Sequence, residues 1–337
     1  MREYILQIEQ GENLSHDEIT VVMELIMSGQ AHLEDIKDFL QALNKKGPTV
    51  EEITACALIM RKFVVPVRTH HEIILDIVGT GGDHKNTFNI STVTAIVVAA
   101  CGVAVAKHGN RRVTSCCGSA DVLEALGINV QMEEKYLGEC LNKIGLAFLY
   151  AQRLHPAMKN VAPARQELGV RTIFNILGPL TNPAQATHQV MGVYSRDLLV
   201  PMTQVLKNLG LKRALVVHGN DGLDEITTTD KTFVSEYNGQ DIISYDIDPD
   251  EMGIARASIK DFEGGDAAQN ANMVIEILEG ELGPRRDIVV LNAAYALYTA
   301  QTVNNLQKGI KMAEHAIDSR RAIDKLEQLE EFTNRVR

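Results

Sequence analysis

The amino-acid sequence predicts an α/β fold: a small N-terminal helical domain, residues 1–70, joined to a larger α/β domain, residues 71–337, with a mostly parallel central sheet. Three observations predict it. The first seventy residues carry apolar stripes at helical spacing behind two capping boxes. At about His71 the pattern changes to short β-branched runs. From there strands and helices alternate, the signature of a parallel sheet covered by helices.

The elements follow in order. Ser15-His16-Asp17-Glu18 is a capping box, in which the Ser and Glu side chains each satisfy a free backbone donor. Ile19, Val22, Met23, Ile26 and Met27 then form one apolar stripe. A further helix runs through Ile36, Phe39, Leu40 and Leu43 and stops near Gly47-Pro48. Thr49 and Glu52 make a second capping box ahead of Ile53, Ala57, Leu58 and Met60. Such short helices are not stable alone, so their stripes pack on each other or on a partner chain. Beyond His71, Ile73–Val78 reads as a strand ending in Gly79-Thr80-Gly81-Gly82-Asp83. A helix over Val93–Cys101, a strand over Val103–Ala106, a helix over Ala120–Leu126 and a strand over Ala147–Tyr150 follow. The stretch from His155 to Leu177 reads as helical, and about 160–185 is expected to rejoin the N-terminal helices in space. Val190–Tyr194 and Ala214–Val217 read as buried strands flanking a helix over Leu198–Leu209, and the tail from Asp287 to Arg335 reads as helical.

Composition narrows the function. Of 337 residues, 45% are hydrophobic and 23% charged, as in an ordinary globular protein, and the formal charge is −11. A chain this acidic is a poor candidate for tracking nucleic acid through its overall field. It can bind a small polyanion where backbone N–H groups, a few local cations and a metal ion neutralise it. No apolar run approaches the roughly 20 residues of a membrane helix, and MREYILQIEQ lacks a signal peptide's apolar segment. A cytoplasmic protein with no membrane partner is expected. Cys56, Cys101, Cys116, Cys117 and Cys140 form no CxxC pair and read as reduced thiols.

Four segments carry chemistry. The first is the glycine-rich turn Gly79–Asp83, followed by Asn89, Ser91 and Thr92 at a helix start. Glycines let the backbone approach a ligand closely, and free N–H groups beside a helix start suit a phosphate; a plain structural turn with an ordinary cap is the other reading. The second is Lys107-His108-Gly109-Asn110-Arg111-Arg112 at the end of a strand, where open α/β sheets place ligands; a solvated basic turn is its alternative. The third is His218–Glu225, whose adjacent Asp224 and Glu225 offer oxygen ligands to Mg²⁺ or else form a solvated acidic turn. The fourth is Arg165, a planar fork suited to a carboxylate; composition alone does not separate it from Arg171, and a surface salt bridge is the ordinary reading.

In this order and spacing the segments resemble the anthranilate phosphoribosyltransferases. The residues that carry the resemblance are Gly79–Asp83, Thr87–Thr92, Lys107–Arg111, Gly118–Gly127, His155–Pro183 and His218–Glu225. The first and third are shared with pyrimidine nucleoside phosphorylases, whereas LGPLTNP together with HGNDGLDE is not. The resemblance implies a nucleoside phosphorylase/phosphoribosyltransferase-like fold, a homodimer formed through the helical domains, and transfer of the phosphoribosyl group of phosphoribosyl pyrophosphate to the anthranilate amine in tryptophan biosynthesis. It implies that phosphoribosyl pyrophosphate is held by Gly79, Gly82, Asp83, Thr87, Asn89, Ile90, Ser91 and Thr92, and by Lys107, His108, Gly109, Asn110, Arg111, Arg112, Val113, Thr114, Ser115 and Ser119. Anthranilate would meet Gly79, Asn110 and Arg165, and Mg²⁺ would take Ser91, Asp224 and Glu225. His108 is a candidate proton acceptor, with a structural imidazole as its alternative. Gln152, Arg153 and Leu154 depart from the family's Pro and second His, Thr114–Cys117 from its Ser-rich turn, and His84-Lys85-Asn86 from a stretch that often begins with Gly. A pyrimidine nucleoside phosphorylase and a non-catalytic nucleic-acid-binding paralogue are the rival functions. The second predicts a basic surface and a degraded acidic pair, and the chain has neither.

Overall fold

The computed structural model describes residues 1–111 and 117–336. Four helices come first: α1 (Arg2–Glu9), α2 (His16–Met27), α3 (Leu33–Lys46) and α4 (Val50–Lys62). Both capping boxes form, Ser15 with Glu18 and Thr49 with Glu52. Glu52 does more than cap. Its fully buried carboxylate accepts from the Leu14 N–H at 2.9 Å and from Lys46 Nζ at 2.8 Å, tying the lead-in to α2 and the end of α3 to α4. The stripe Ile19, Val22, Met23, Ile26 and Met27 is buried throughout.

The second part begins with β1 (Ile74–Gly79), α5 (Ile90–Ala100), β2 (Ala104–Gly109), α6 (Ser119–Ala125), α7 (Glu134–Ile144) and β3 (Leu146–Tyr150). The chain then turns through α8 (Ala151–Leu154), a 3₁₀ turn at Pro156–Asn160, α9 (Ala162–Leu168) and α10 (Phe174–Leu177). Apolar residues here, Val161, Ala164, Phe174 and Leu177 among them, share one core with α1 to α4. The rest comprises β4 (His188–Gly192), α11 (Leu199–Asn208), β5 (Arg213–Gly219), β6 (Thr232–Tyr237), β7 (Ile242–Ile247), α12 (Ala267–Leu278), α13 (Pro284–Thr299), α14 (Leu306–Asp318) and α15 (Arg321–Arg335). No helix of the described residues is long and apolar enough to cross a membrane.

The seven strands order as β3-β2-β1-β4-β5-β6-β7. The first five are parallel, and β6 and β7 add antiparallel at one edge. Side chains alternate between faces, as strand geometry requires. Val190, Leu215 and Val217 enter the core under α5 and α13, whereas Met191, Ala214 and Val216 enter the core shared with the N-terminal helices. The sheet is thus sandwiched between two cores. The chain proceeds from β1 towards β3 on one side and from β4 towards β7 on the other, so the order reverses between β1 and β4. The crevice at the carboxyl ends of those strands is where open α/β sheets bind ligands.

Three differences from the sequence reading have physical causes. Helix α5 starts at Ile90 rather than Val93, because the Asn89 side chain is not a cap; it donates to Cys117 O and accepts from Asn270. Strand β2 runs on to Gly109, since Lys107 and His108 pair with Phe148 and Leu149 of β3 despite their charge and polarity. Strands β6 and β7 and helix α12 were not anticipated. β7 is a largely exposed edge with little apolar burial, so it carries no strong alternating pattern.

Candidate active site

The glycine-rich turn leaves β1 at the reversal point. Gly79 and Gly192 face each other across β1 and β4, and the segment carrying Asp224 crosses directly above them. A Cβ on Gly79 would stand 2.4 Å from Asp224 Oδ2, and one on Gly192 only 1.6 Å from the Asp224 carbonyl oxygen. Only glycine admits that crossing. The turn continues with positive φ at Gly81, Gly82, His84 and Asn86 (65°, 80°, 58° and 52°). For His84 and Asn86 this is an unfavourable conformation that persists only where surrounding contacts impose it. Two such contacts are the Gly81 N–H donating to Asp224 Oδ2 at 2.8 Å and the Gly264 N–H donating to Asn86 O at 2.9 Å.

Lys107 reaches into the same place from β2. It is 3% exposed, yet it forms no ion pair among the described residues; its Nζ donates to Ile77 O at 2.8 Å and to Ser91 Oγ at 3.1 Å. Burial lowers its pKa, against the opposing pull of Asp76, Glu225 and Asp224. Glu225 accepts from the backbone N–H of Ser91 at the start of α5, where the helix dipole favours negative charge. Asp224 and Glu225 both have raised pKa values, from burial first and then from a neighbouring carboxylate, Asp83 for the former and Asp224 for the latter. One buried cation, three crowded carboxyls and two backbone turns therefore converge at the reversal point.

The other anticipated residues divide. Thr87 forms an isolated bridge with Glu263, and Asn89 links Cys117 to Asn270. Ile90 and Thr92 are buried in the first turn of α5. Gly109 lies against Phe148 and Ser119, the first residue of α6; a Cβ there would be 2.6 Å from the Phe148 ring and 3.2 Å from Ser119 Cβ. Asn110 accepts through its carbonyl from the Ala120 N–H and through its side chain from the Arg111 N–H. The Arg111 fork is fully engaged by Tyr150, Asp121 and Glu124, at 3.0, 3.1 and 2.7 Å. His108 is buried, with its Nε2 3.0 Å from His155 Nε2. Its pKa falls well below the ordinary range through burial and through His155 and Lys107, which makes it a weak base. Arg112, Val113, Thr114 and Ser115 lie outside the described residues.

Arg165, on α9, is half-buried, and its side chain has no hydrogen bond or ion pair among the described residues; its guanidinium lies 6.0 Å from the Phe174 ring centre, and burial lowers its pKa. The surface salt bridge open to it in the sequence is not formed. A partly desolvated guanidinium with no acidic partner among the described residues has the chemistry to receive a carboxylate. Arg171, indistinguishable from it by composition, turns instead to the glycine-rich turn, where Nη2 donates to Gly82 O.

The acidic residues offer oxygen ligands without closing a cage. Among the described residues no three His, Cys, Asp or Glu side chains converge as a complete cage. Mg²⁺ characteristically takes one or two carboxylates and completes its shell with water and substrate phosphate. Asp224 and Glu225, raised in pKa by burial and by the neighbouring carboxylates, fit that half-shell.

Several residues escaped the sequence reading. Asp76 is fully buried within β1, where its Oδ1 accepts from the His108 N–H at 3.0 Å and burial lifts its carboxyl to about 6. A lone acid in the run Ile73–Val78 was the signal available. Asn182 donates to Ala106 O at 2.8 Å, bracing β2 from the segment after α10. Gly192 had no sequence signal, lying inside the run Val190–Tyr194 that reads as a strand.

The chain matches the model of the glycosyl transferase family a/b domain over residues 71–323 and that of the family's helical bundle domain over residues 2–64. It is 50% identical over 334 residues to an anthranilate phosphoribosyltransferase of Acetivibrio thermocellus, covering 99% of this chain and 97% of that protein. It superposes with a TM-score of 0.93 and 42% identity on the crystal structure of anthranilate phosphoribosyltransferase from Thermus thermophilus, covering 98% of this chain and 99% of that one. The Saccharomyces cerevisiae anthranilate phosphoribosyltransferase in complex with PRPP and Mg matches with a TM-score of 0.86 and 28% identity, over 95% of this chain and 92% of that one.

Proposed function

The chain belongs to the anthranilate phosphoribosyltransferases, and on that premise we propose how its reversal-point cleft performs the family's reaction. The enzyme transfers the phosphoribosyl group of phosphoribosyl pyrophosphate to the amine of anthranilate, releasing pyrophosphate. Residues 1–70 with about 160–185 act as the helical domain and 71–337 as the phosphoribosyl-binding domain. The diphosphate lies in the turn Gly79–Asp83 and against the start of α5, with Lys107 beneath it and Ser91, Asp224 and Glu225 holding Mg²⁺. Gly79, Asn110 and Arg165 contact anthranilate, Arg165 through the carboxylate. The observation that carries this reading is the convergence of the Gly81 N–H, Asp224, Glu225, Ser91 and Lys107 on one point.

Each residue has a physical task. Ser91, Asp224 and Glu225 would hold Mg²⁺, which would supply positive charge opposite the pyrophosphate. Lys107 sets a fixed positive charge in a site shielded from water, where its field is strong. The backbone N–H groups of the turn supply donors that need no reorganisation. Anthranilate's amine is a weak base and is nucleophilic when neutral, so the reaction at the ribosyl carbon needs alignment more than deprotonation. No proton-transfer role falls to His108, whose ring is buried against His155. Asp76, holding the His108 N–H, fixes the end of β2 from which Lys107 projects.

The homodimer through the helical domains is part of the same proposal, supported by exposed Leu6 on α1 and Val21 on α2. So is a cytoplasmic location, where the family's biosynthetic reaction would run.

Arg165 gives the test. Arg165→Ala removes a charged bidentate contact, so the KM for anthranilate rises roughly 10- to 100-fold while the KM for phosphoribosyl pyrophosphate holds. Steady-state loss of anthranilate fluorescence measures both. An unchanged anthranilate KM would remove Arg165 from the site.

A further inference from the structure

Arg171 lies between two anchored elements. Gly169 closes α9 with φ +60°, and Ile173 and Phe174, just beyond Arg171, are buried in the core shared with the N-terminal helices. From this fixed base the side chain crosses to the turn after β1. Its guanidinium lies over the Tyr194 ring, 4.1 Å from the centroid. Nη2 donates to Gly82 O and stands 3.4 Å from His84 Nε2. Tyr194, just past β4, is joined to the same turn, its N–H donating to Thr80 Oγ1 at 3.1 Å. Although exposed, Arg171 forms no ion pair among the described residues. A Cβ on Gly82 would come within 3.2 Å of its guanidinium, so glycine is what allows the approach.

The peptide bond is planar and trans, so the carbonyl of Gly82 and the N–H of Asp83 point in opposite directions. Holding that carbonyl on Arg171 turns the Asp83 N–H away from it. Neither the Gly82 nor the Asp83 N–H meets an acceptor among the described residues. On the other side of the turn, the Gly81 N–H is held by Asp224. The Gly81 N–H and the Gly82 carbonyl are both gripped, while the Gly82 N–H between them and the Asp83 N–H just beyond are left free. With His84 and Asn86 in left-handed conformations that need external support, the Arg171 contact is one of the few that supplies it.

We propose that Arg171 is a positioning residue for the diphosphate: it fixes the Gly82–Asp83 peptide so that the free Asp83 N–H faces the phosphate oxygens. It also reports the position of the helical side to the turn. The inference rests on reading the turn Gly79–Asp83 as the diphosphate cradle.

The test is steady-state kinetics with Mg²⁺, varying each substrate in turn, on Arg171→Ala, Tyr194→Leu, their combination, and Lys107→Met. Loss of one hydrogen bond to a charged donor predicts that kcat/KM for phosphoribosyl pyrophosphate falls about tenfold in Arg171→Ala, with the anthranilate KM unmoved. Tyr194→Leu, which removes the platform and keeps the donor, should show a smaller loss in the same constant. The double variant should be no worse than Arg171→Ala alone, because both changes break one contact. Equal losses for the two substrates, fully additive losses, or an unchanged constant in Arg171→Ala would each overturn the proposal. Lys107→Met separates the premise from the inference. If it leaves the phosphoribosyl pyrophosphate constant untouched, the cradle reading itself fails; if it lowers that constant and Arg171→Ala does not, the role of Arg171 alone fails.

Discussion

His108 and His155 face each other with their Nε2 atoms 3.0 Å apart, so one neutral ring donates to the other, and protonating both rings would set two buried cations side by side. Burial depresses the His155 pKa to about 4, against an unfolded value near 6.5. Between those values the unfolded chain binds a proton that the folded chain refuses, so stability falls as pH drops from about 6.5 towards 4. Buried Asp76, lifted to about 6, opposes the trend, since there the folded state holds the extra proton. A comparison isolates the imidazole: the stability advantage of the native chain over His155→Asn should shrink between pH 7 and pH 5. Thermal unfolding midpoints measure it, and a constant difference across that range would contradict the account. At this scale the sequence was informative about residue type and uninformative about partners. Arg165 and Arg171 were equivalent on paper. Folding leaves the first without an acid and sets the second on a glycine carbonyl, because partners come from segments far away in the chain. Asp224 and Glu225 were legible as an adjacent acidic pair, whereas their crowding by Asp83 depends on the crossing over Gly79 and Gly192.

Helices were the most legible elements, since capping boxes and 3.6-residue stripes are local signals. The box at Thr49 concealed a second role. Glu52 also binds Lys46 and the Leu14 N–H, in a pair with 8% and 0% side-chain exposure. Removing one member of a buried pair strands the other's charge, so Glu52→Ala should cost about 3 kcal/mol of folding stability. Urea unfolding monitored by circular dichroism measures this, and a loss below about 1 kcal/mol would show that Lys46 finds solvent instead. Strand extents were less legible. β2 continues through Lys107 and His108 because β3 pairs along it, a non-local cause that propensity does not carry. Strands β6 and β7 escaped because β6 buries polar Thr232, Ser235 and Glu236 rather than an apolar run, and β7 is a largely exposed edge.

At the scale of the molecule, an acidic chain of net charge −11 is read here as binding a polyanion. It does so without a basic surface. The reversal of strand order between β1 and β4 opens a crevice, two glycines let an acidic segment cross it, and one buried lysine supplies a fixed cation. Alternating elements announced the sheet in the sequence. The strand order that sets the crevice between β1 and β4 is a property of the assembled fold. The central claim is that Asp224 and Glu225 act on a magnesium-bound diphosphate in that crevice. Its most direct test compares the native chain with Asp224→Asn/Glu225→Gln in an assay of anthranilate fluorescence with phosphoribosyl pyrophosphate and varied Mg²⁺. The expected result is Mg²⁺-dependent consumption by the native chain and its collapse in the double variant, while anthranilate alone still binds. A variant that keeps the native rate and the native Mg²⁺ dependence would contradict it.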